Sequence, residues 1–148
     1  MTLPEPIAAQ IHIDADPALV FDHFTKPEAM VRWMGEFAHL DATPGGDFKV
    51  DVRGAPVRGR YLELDPPHRL VIAWGYAGSD RHPPGASTVE VRLIANAGGT
   101  RVELEHRDLP VDETPGHTTG WRHYLERLRL AAAGRNPGKD RGHERQAS

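Results

Sequence analysis

From Asp47 to Arg107 the chain alternates apolar and polar residues in run after run, each run closed by Gly, Pro or Asn. It then changes period once, into a single long helical stripe. A period of two puts successive side chains on opposite faces of a strand, and a period of 3.6 puts every third or fourth on one side of a helix. Such a chain has consecutive strands for one sheet and one long helix to cover it. The cleanest run is Asp47 to Val52, where Phe48, Val50 and Val52 share a face. Val57 to Leu64 and His68 to Tyr76 follow, divided by Asp65-Pro66-Pro67, and the loop Gly78 to Gly85 leads to Ser87 to Ala95, with Val89, Val91 and Leu93 on one side. Asn96-Ala97-Gly98-Gly99 predicts a hairpin onto Thr100 to Arg107, where Val102, Leu104 and His106 share a face.

The helical stripe begins between Asp112 and Thr118 and runs to about Ala133. On it His117, Trp121, Tyr124, Leu125, Leu128 and Ala132 fall on one side, while Arg122, Glu126 and Arg129 face away. Aromatics stand here where a core helix usually carries Leu, which suggests a cavity wall. At the other end, Ile7, Ala9, Ile11 and Ile13 mark a first strand. Asp16-Pro17 predicts a helix start, Asp16 capping free N–H groups and Pro17 at the first helical position. Thr25 is the expected cap of a second short helix, Pro27 to Met34, stopped by Gly35. The economical architecture is α+β: one strand, two short helices, five or six strands in a curved antiparallel sheet, and a long C-terminal helix lying across it. One domain is expected over residues 1–133, and residues 134–148, almost without apolar side chains, are expected to be a disordered polar tail.

Composition narrows the chemistry. At 148 residues the chain can bury about two-thirds of its unfolded surface in one core. Its net charge of −3 is made of interspersed signs, so no basic stripe is offered to nucleic acid. The absence of cysteine removes disulfides, thiolate catalysis and sulfur-held metals. No run approaches the roughly 18 apolar residues of a membrane helix, and the first residues lack a basic-then-apolar leader, so a cytoplasmic location without membrane insertion is expected. The nine histidines show no compact metal-binding triad in their spacing, and neither a metal nor another cofactor is expected. Pro44-Gly45-Gly46 and Gly98-Gly99 lack the strand–loop–helix setting of a phosphate cradle, and no Ser sits in a nucleophile elbow.

The order of elements and four motifs resemble the helix-grip (SRPBCC) superfamily of START-related lipid-transfer domains, birch-pollen-allergen-like proteins and polyketide cyclases. Within it the chain resembles the branch named for the C-terminal domain of the heat-shock-protein-90 ATPase activator. The motifs are Thr25-Lys26-Pro27-Glu28 with Arg32-Trp33-Met34-Gly35, Asp41 to Phe48, Gly59 through Glu63 to Trp74, and His117-Thr118-Thr119-Gly120-Trp121 with Leu125 and Leu128. Met34 stands where the branch often has a second Trp. The resemblance implies the fold, a sheet wrapped round the C-terminal helix, and assigns no particular reaction.

Several side chains are candidates for the work of such a cavity. Trp33, Phe48, Tyr61, Trp74, Trp121 and Tyr124 are flat groups, several with polar edges, suited to bury and orient a ligand, although ordinary core packing explains any single one equally well. His106 shares the inner face with Val102 and Leu104, and His117 lies one turn before Trp121; either could bind a ligand oxygen or act as a base. In Val57 to Leu64 the parity is ambiguous, and a bulge near Gly59 could switch faces. Without one, Glu63 points inward with Tyr61, where desolvation would raise its pKa and suit it to acid–base work.

Three functions compete on this reading. The first is binding of a small hydrophobic molecule, of lipid, polyketide or aromatic kind, between sheet and helix. The second is a cofactor-free cyclase, dehydratase or hydrolase in the same cavity, using His106, His117 or Glu63. The third is a chaperone-partner module acting through outer charges such as Glu103 and Arg107. A homodimer through an open strand edge is compatible with each.

Overall fold

The computed structural model describes residues 5–142. Its elements are β1 (Ile7–Ile13), α1 (Pro17–Thr25), α2 (Pro27–Met30), β2 (Phe37–Leu40), β3 (Asp47–Val52), β4 (Ala55–Asp65), β5 (Arg69–Trp74), β6 (Ser87–Asn96), β7 (Gly99–Arg107), a single 3₁₀ turn at Val111–Glu113, and α3 (Thr114–Ala132). The strands form one seven-stranded antiparallel sheet in the order β1-β7-β6-β5-β4-β3-β2. Strands β2 to β7 are a meander, and β1 closes onto β7 with Ile7 opposite His106 and Ile13 opposite Thr100. The alternation seen in the sequence is the burial pattern observed: Val89, Val91, Leu93, Val102, Leu104 and His106 are all buried. The hairpin at Asn96 to Gly99 turns through positive φ at Ala97 and Gly98, as a two-residue loop between twisted strands requires.

Helix α3 lays Trp121, Tyr124, Leu125, Leu128, Ala131 and Ala132 on the sheet and completes the core. The helical insert is fastened at the end of α1, whose last carbonyls have no partner within the helix. The Trp33 indole N–H donates to the His23 carbonyl and the Tyr61 hydroxyl to the Phe24 carbonyl, each at 2.8 Å. Trp33 and Tyr61 are therefore buried polar clamps as well as core rings.

Local details differ from the sequence reading. β2 was not among the expected strands, and α2 ends at Met30 rather than Met34. Asp16 occupies the N-cap of α1 without a side-chain bond, while the Thr25 hydroxyl turns back to the Phe21 carbonyl. The bulge in β4 falls between Tyr61 and Glu63, not near Gly59. Residues 135–142 also run back against α3. The Asp140 carboxylate accepts from the Tyr124 hydroxyl at 2.6 Å and from His123 at 2.9 Å, and Arg127 donates to the Gly138 carbonyl. The remainder of the expected tail, 143–148, lies outside the described residues.

His23 adds a testable acid sensitivity. It is buried, its Nδ1–H donates to the Leu19 carbonyl, and its Nε2 has no partner among the described residues. Burial is the main reason its pKa is lowered, so the folded state holds it neutral. With the unfolded value near 6.5, this part of the stability is full above about pH 6.5 and is lost as pH falls, because the unfolded chain takes up the proton first. His23→Gln should lose less stability than wild type between about pH 7 and pH 5 in urea unfolding. Equal slopes would mean that His23 protonates inside the fold.

Candidate functional site

The site is built at the end of the sheet where β5, β6 and β7 meet the start of α3. Trp74 pairs with Ser87 across β5 and β6, and His106 stands on β7 opposite Val89. Gly75 follows Trp74, and a Cβ there would lie 1.9 Å from the Pro83 carbonyl oxygen, so only glycine lets the 77–86 loop fold back this closely. That loop is pinned by the Tyr76 amide donating to the His82 carbonyl and by the His82 amide donating to the Ser79 hydroxyl, each at 2.9 Å. The His82 ring is thereby driven beneath the start of α3, where it is 1 % exposed.

A continuous polar chain results. The Trp121 Nε1–H donates to His106 Nδ1 at 2.9 Å, and His106 Nε2 meets the Ser87 hydroxyl at 2.8 Å. The same hydroxyl meets His82 Nε2 at 2.7 Å and the Trp74 carbonyl at 3.0 Å, while His82 Nδ1 lies 2.9 Å from Glu113 Oε1. His117 Nε2 is 3.6 Å from that carboxylate oxygen. Proton positions follow from what each group can do. An indole only donates, so His106 Nδ1 accepts and its proton is on Nε2. A carbonyl only accepts, so the Ser87 proton goes to Trp74 and both imidazoles donate to Ser87. His82 therefore donates from Nε2, and its Nδ1 lies against the Glu113 carboxylate. Burial, then the neighbouring His117 and His82, push the pKa of His106 down to about 2, in keeping with a neutral ring.

In front of this chain lies a cavity of about 480 Å³, within the roughly 300–1,000 Å³ usual for small-molecule sites. Trp74 and Tyr76 wall it on the sheet side, Trp121 and Tyr124 on the helix side, and Glu113 and His117 at the start of α3; Arg53 and Gly142 stand on its rim. The returning C-terminal segment supports that rim, since Arg53 donates to the Asp140 carbonyl at 3.2 Å. Burial works against the Asp140 charge, but hydrogen bonds from Tyr124, the Gly142 amide and His123 outweigh it and hold the carboxyl below its usual range.

Of the residues singled out in the sequence, Trp74, His117, Trp121 and Tyr124 stand on the cavity wall. Trp33, Phe48 and Tyr61 belong to the core, where Phe48 packs edge-on to Tyr61 and against Trp74. His106 is fully buried behind Trp121 with both ring nitrogens bonded, so it supports the wall and does not face a ligand. Glu63, expected inward only if β4 ran without a bulge, is not on the cavity wall. The bulge after Tyr61 turns it to the outer face, exposed and paired with Arg69 at 2.6 Å.

Sequence reasoning missed His82, Ser87, Tyr76 and Glu113. Two signals pointed to them: Ser87 has the parity of the inward Val89, and Glu113 precedes His117 by one helical turn. Ser87, His82 and Glu113 have the connectivity of a hydrolase triad. Ser87, however, is 0 % exposed and gives its proton to a backbone carbonyl, so its oxygen cannot reach a substrate.

The fold and this cavity define a helix-grip protein, a sheet wrapped round a C-terminal helix with space between them. The chain belongs to the family described as Activator of Hsp90 ATPase homolog 1-like protein, whose pattern matches residues 14–133. It is similar to an AHSA1-like protein from Rhizobium etli, at 42 % identity and a TM-score of 0.75, over 100 % of this chain and 95 % of that one. It is also similar to CalU16 from Micromonospora echinospora, at 29 % identity and a TM-score of 0.71, covering 86 % and 76 % of the two chains. The Aha1 dimer from Colwellia psychrerythraea shares the fold at 19 % identity and a TM-score of 0.76, covering 87 % and 96 %. No curated protein matches the chain. Among the described residues no helix is long and apolar enough to cross a membrane.

Proposed function

We propose that the protein binds a small, largely apolar molecule of aromatic, polyketide or lipid type in the cavity between sheet and helix. The observation that carries this reading is the wall itself. Four aromatic rings line the space, and the polar side chains of Glu113 and His117 join them at the start of α3, with Asp112 and Arg53 also on the lining. Flat rings bury a ligand and the polar end orients it. The outer face offers less to a chaperone partner, because Glu103 and Arg107 are spent on ion pairs with Arg101 and Arg92, and with Glu90 and Glu105. A homodimer through an open sheet edge is compatible with this reading, and the β2 edge leaves Phe37 52 % exposed.

Gly116 gives a clean test. It lines the cavity, and a Cβ there meets nothing within 4 Å, so Gly116→Leu should send a side chain into the space without disturbing the core. Tryptophan emission titrated with flavonoids, aromatic polyketides and fatty acids should show a saturable response in the wild type. Gly116→Leu should weaken the best of these by about tenfold or more, with folding stability unchanged or raised by up to about 1 kcal/mol. Equal affinity in the two proteins would place the ligand elsewhere.

A further inference from the structure

We propose that His82, Glu113 and His117 form a site for one divalent transition-metal ion, of the zinc class, at the inner wall of the cavity. The inference stands independently of the organic ligand. The ligating atoms His82 Nδ1, Glu113 Oε1 and His117 Nε2 come from the 77–86 loop, the 3₁₀ turn and the first turn of α3, and all lie within 4.8 Å of one another. Zinc bonds of about 2.0–2.1 Å in a tetrahedron put neighbouring ligand atoms roughly 3.3 Å apart. The observed 2.9 Å from His82 to Glu113 and 3.6 Å from His117 to Glu113 bracket that spacing. The third edge, between the two imidazoles, is within 4.8 Å, and His117 stands on the cavity wall.

The surroundings prepare these residues as ligands. A metal-binding histidine turns one nitrogen to the ion and donates the other ring N–H to a fixed acceptor, which sets tautomer and orientation. His82 does this: Nε2–H is held by Ser87, which is anchored in turn to the Trp74 carbonyl and to His106. The other ring nitrogen, Nδ1, is consequently aimed at a carboxylate oxygen 2.9 Å away. An imidazole nitrogen this close to a carboxylate shares a positive charge with it, either a proton on Nδ1 or a metal ion in that proton's place. Two imidazoles and one carboxylate suit zinc, cobalt or nickel better than magnesium or calcium, which prefer oxygen alone. Because Glu113 and His117 line the cavity, the fourth position of the tetrahedron faces it and can take water or an oxygen of a bound molecule.

The full-length protein, freed of metal with a chelator, should be titrated with Co²⁺ and followed by visible absorption. Visible ligand-field bands of low-symmetry cobalt should saturate at one equivalent, be displaced by Zn²⁺ and be unaffected by Mg²⁺. Glu113→Gln and His117→Ala should each weaken Co²⁺ about tenfold to a hundredfold, and Ser87→Ala about tenfold through His82. Circular dichroism verifies folding, and His117→Ala carries the test if another variant fails to fold. Absence of these bands at one equivalent, or binding within twofold of wild type in His117→Ala, would overturn the site and assign any bound cobalt to other histidines.

Discussion

Trp121→Phe should destabilise the protein by about 1–3 kcal/mol although it keeps an aromatic ring on α3. The indole N–H is the donor to His106 Nδ1 at 2.9 Å, and His106 is 0 % exposed. Phenylalanine leaves that nitrogen facing an apolar ring, and burying an unsatisfied acceptor costs more than the bond it loses. Trp121→Ala adds the cost of a large void, for a total of about 3–5 kcal/mol. Trp74→Phe is the comparison: its indole reaches the Tyr76 hydroxyl at a longer 3.3 Å, at the cavity wall, so the loss should be smaller. Urea unfolding of the three variants measures the ordering directly. If Trp121→Phe matched wild type, the polar chain behind the cavity would not be a fixed support.

Gly75→Ala should be the most damaging single-methyl change at the site. The added carbon would fall 1.9 Å from the Pro83 carbonyl oxygen and 2.7 Å from the Pro84 Cα, both backbone, so no side-chain rotation relieves the clash. The 77–86 loop must move, and with it the His82 ring. A stability loss of about 3 kcal/mol, the upper end for overpacking, is expected together with loss of the slowly exchanging ring N–H signals of His82 and His106 in NMR spectra. Gly116→Ala is the control, because a Cβ there meets nothing within 4 Å and alanine favours a helix; it should be neutral or stabilising by up to about 1 kcal/mol. Similar behaviour of the two variants would show that the loop does not need its close approach at Gly75.

The architecture was legible because each level of the chain agrees. Strict alternation in β3, β6 and β7 and one aromatic stripe on α3 leave little choice but a meander covered by a helix. β2 was hidden because Phe37 to Leu40 is four residues long at an edge and only partly buried, so it carries no strong alternation. Glu63 misled because a bulge shifts parity by one residue, and β4 does not mark in its composition where the shift falls. The aromatics were half legible. Residue type says that a ring is apolar with a polar edge, but only the fold separates Trp33, bonded to a helix-end carbonyl, from Trp74 on a cavity wall. His82 was beyond reach, since it lies in a Gly- and Pro-rich loop without periodicity, 31 residues before the Glu113 it meets. The polar composition of residues 135–142 likewise concealed that Asp140 has Tyr124 and His123 waiting for it on α3.

The central claim, a working cavity between α3 and the sheet, is tested most directly by the three indole N–H resonances in a titration with flavonoids and aromatic polyketides. Trp74 and Trp121 line the cavity, whereas Trp33 is 1 % exposed in the core with its N–H bonded to the His23 carbonyl. Saturable shifts of Trp74 and Trp121 with Trp33 unmoved are the result this account predicts. Three unmoved indoles at saturating ligand, or shifts as large at Trp33 as at Trp121, would contradict it.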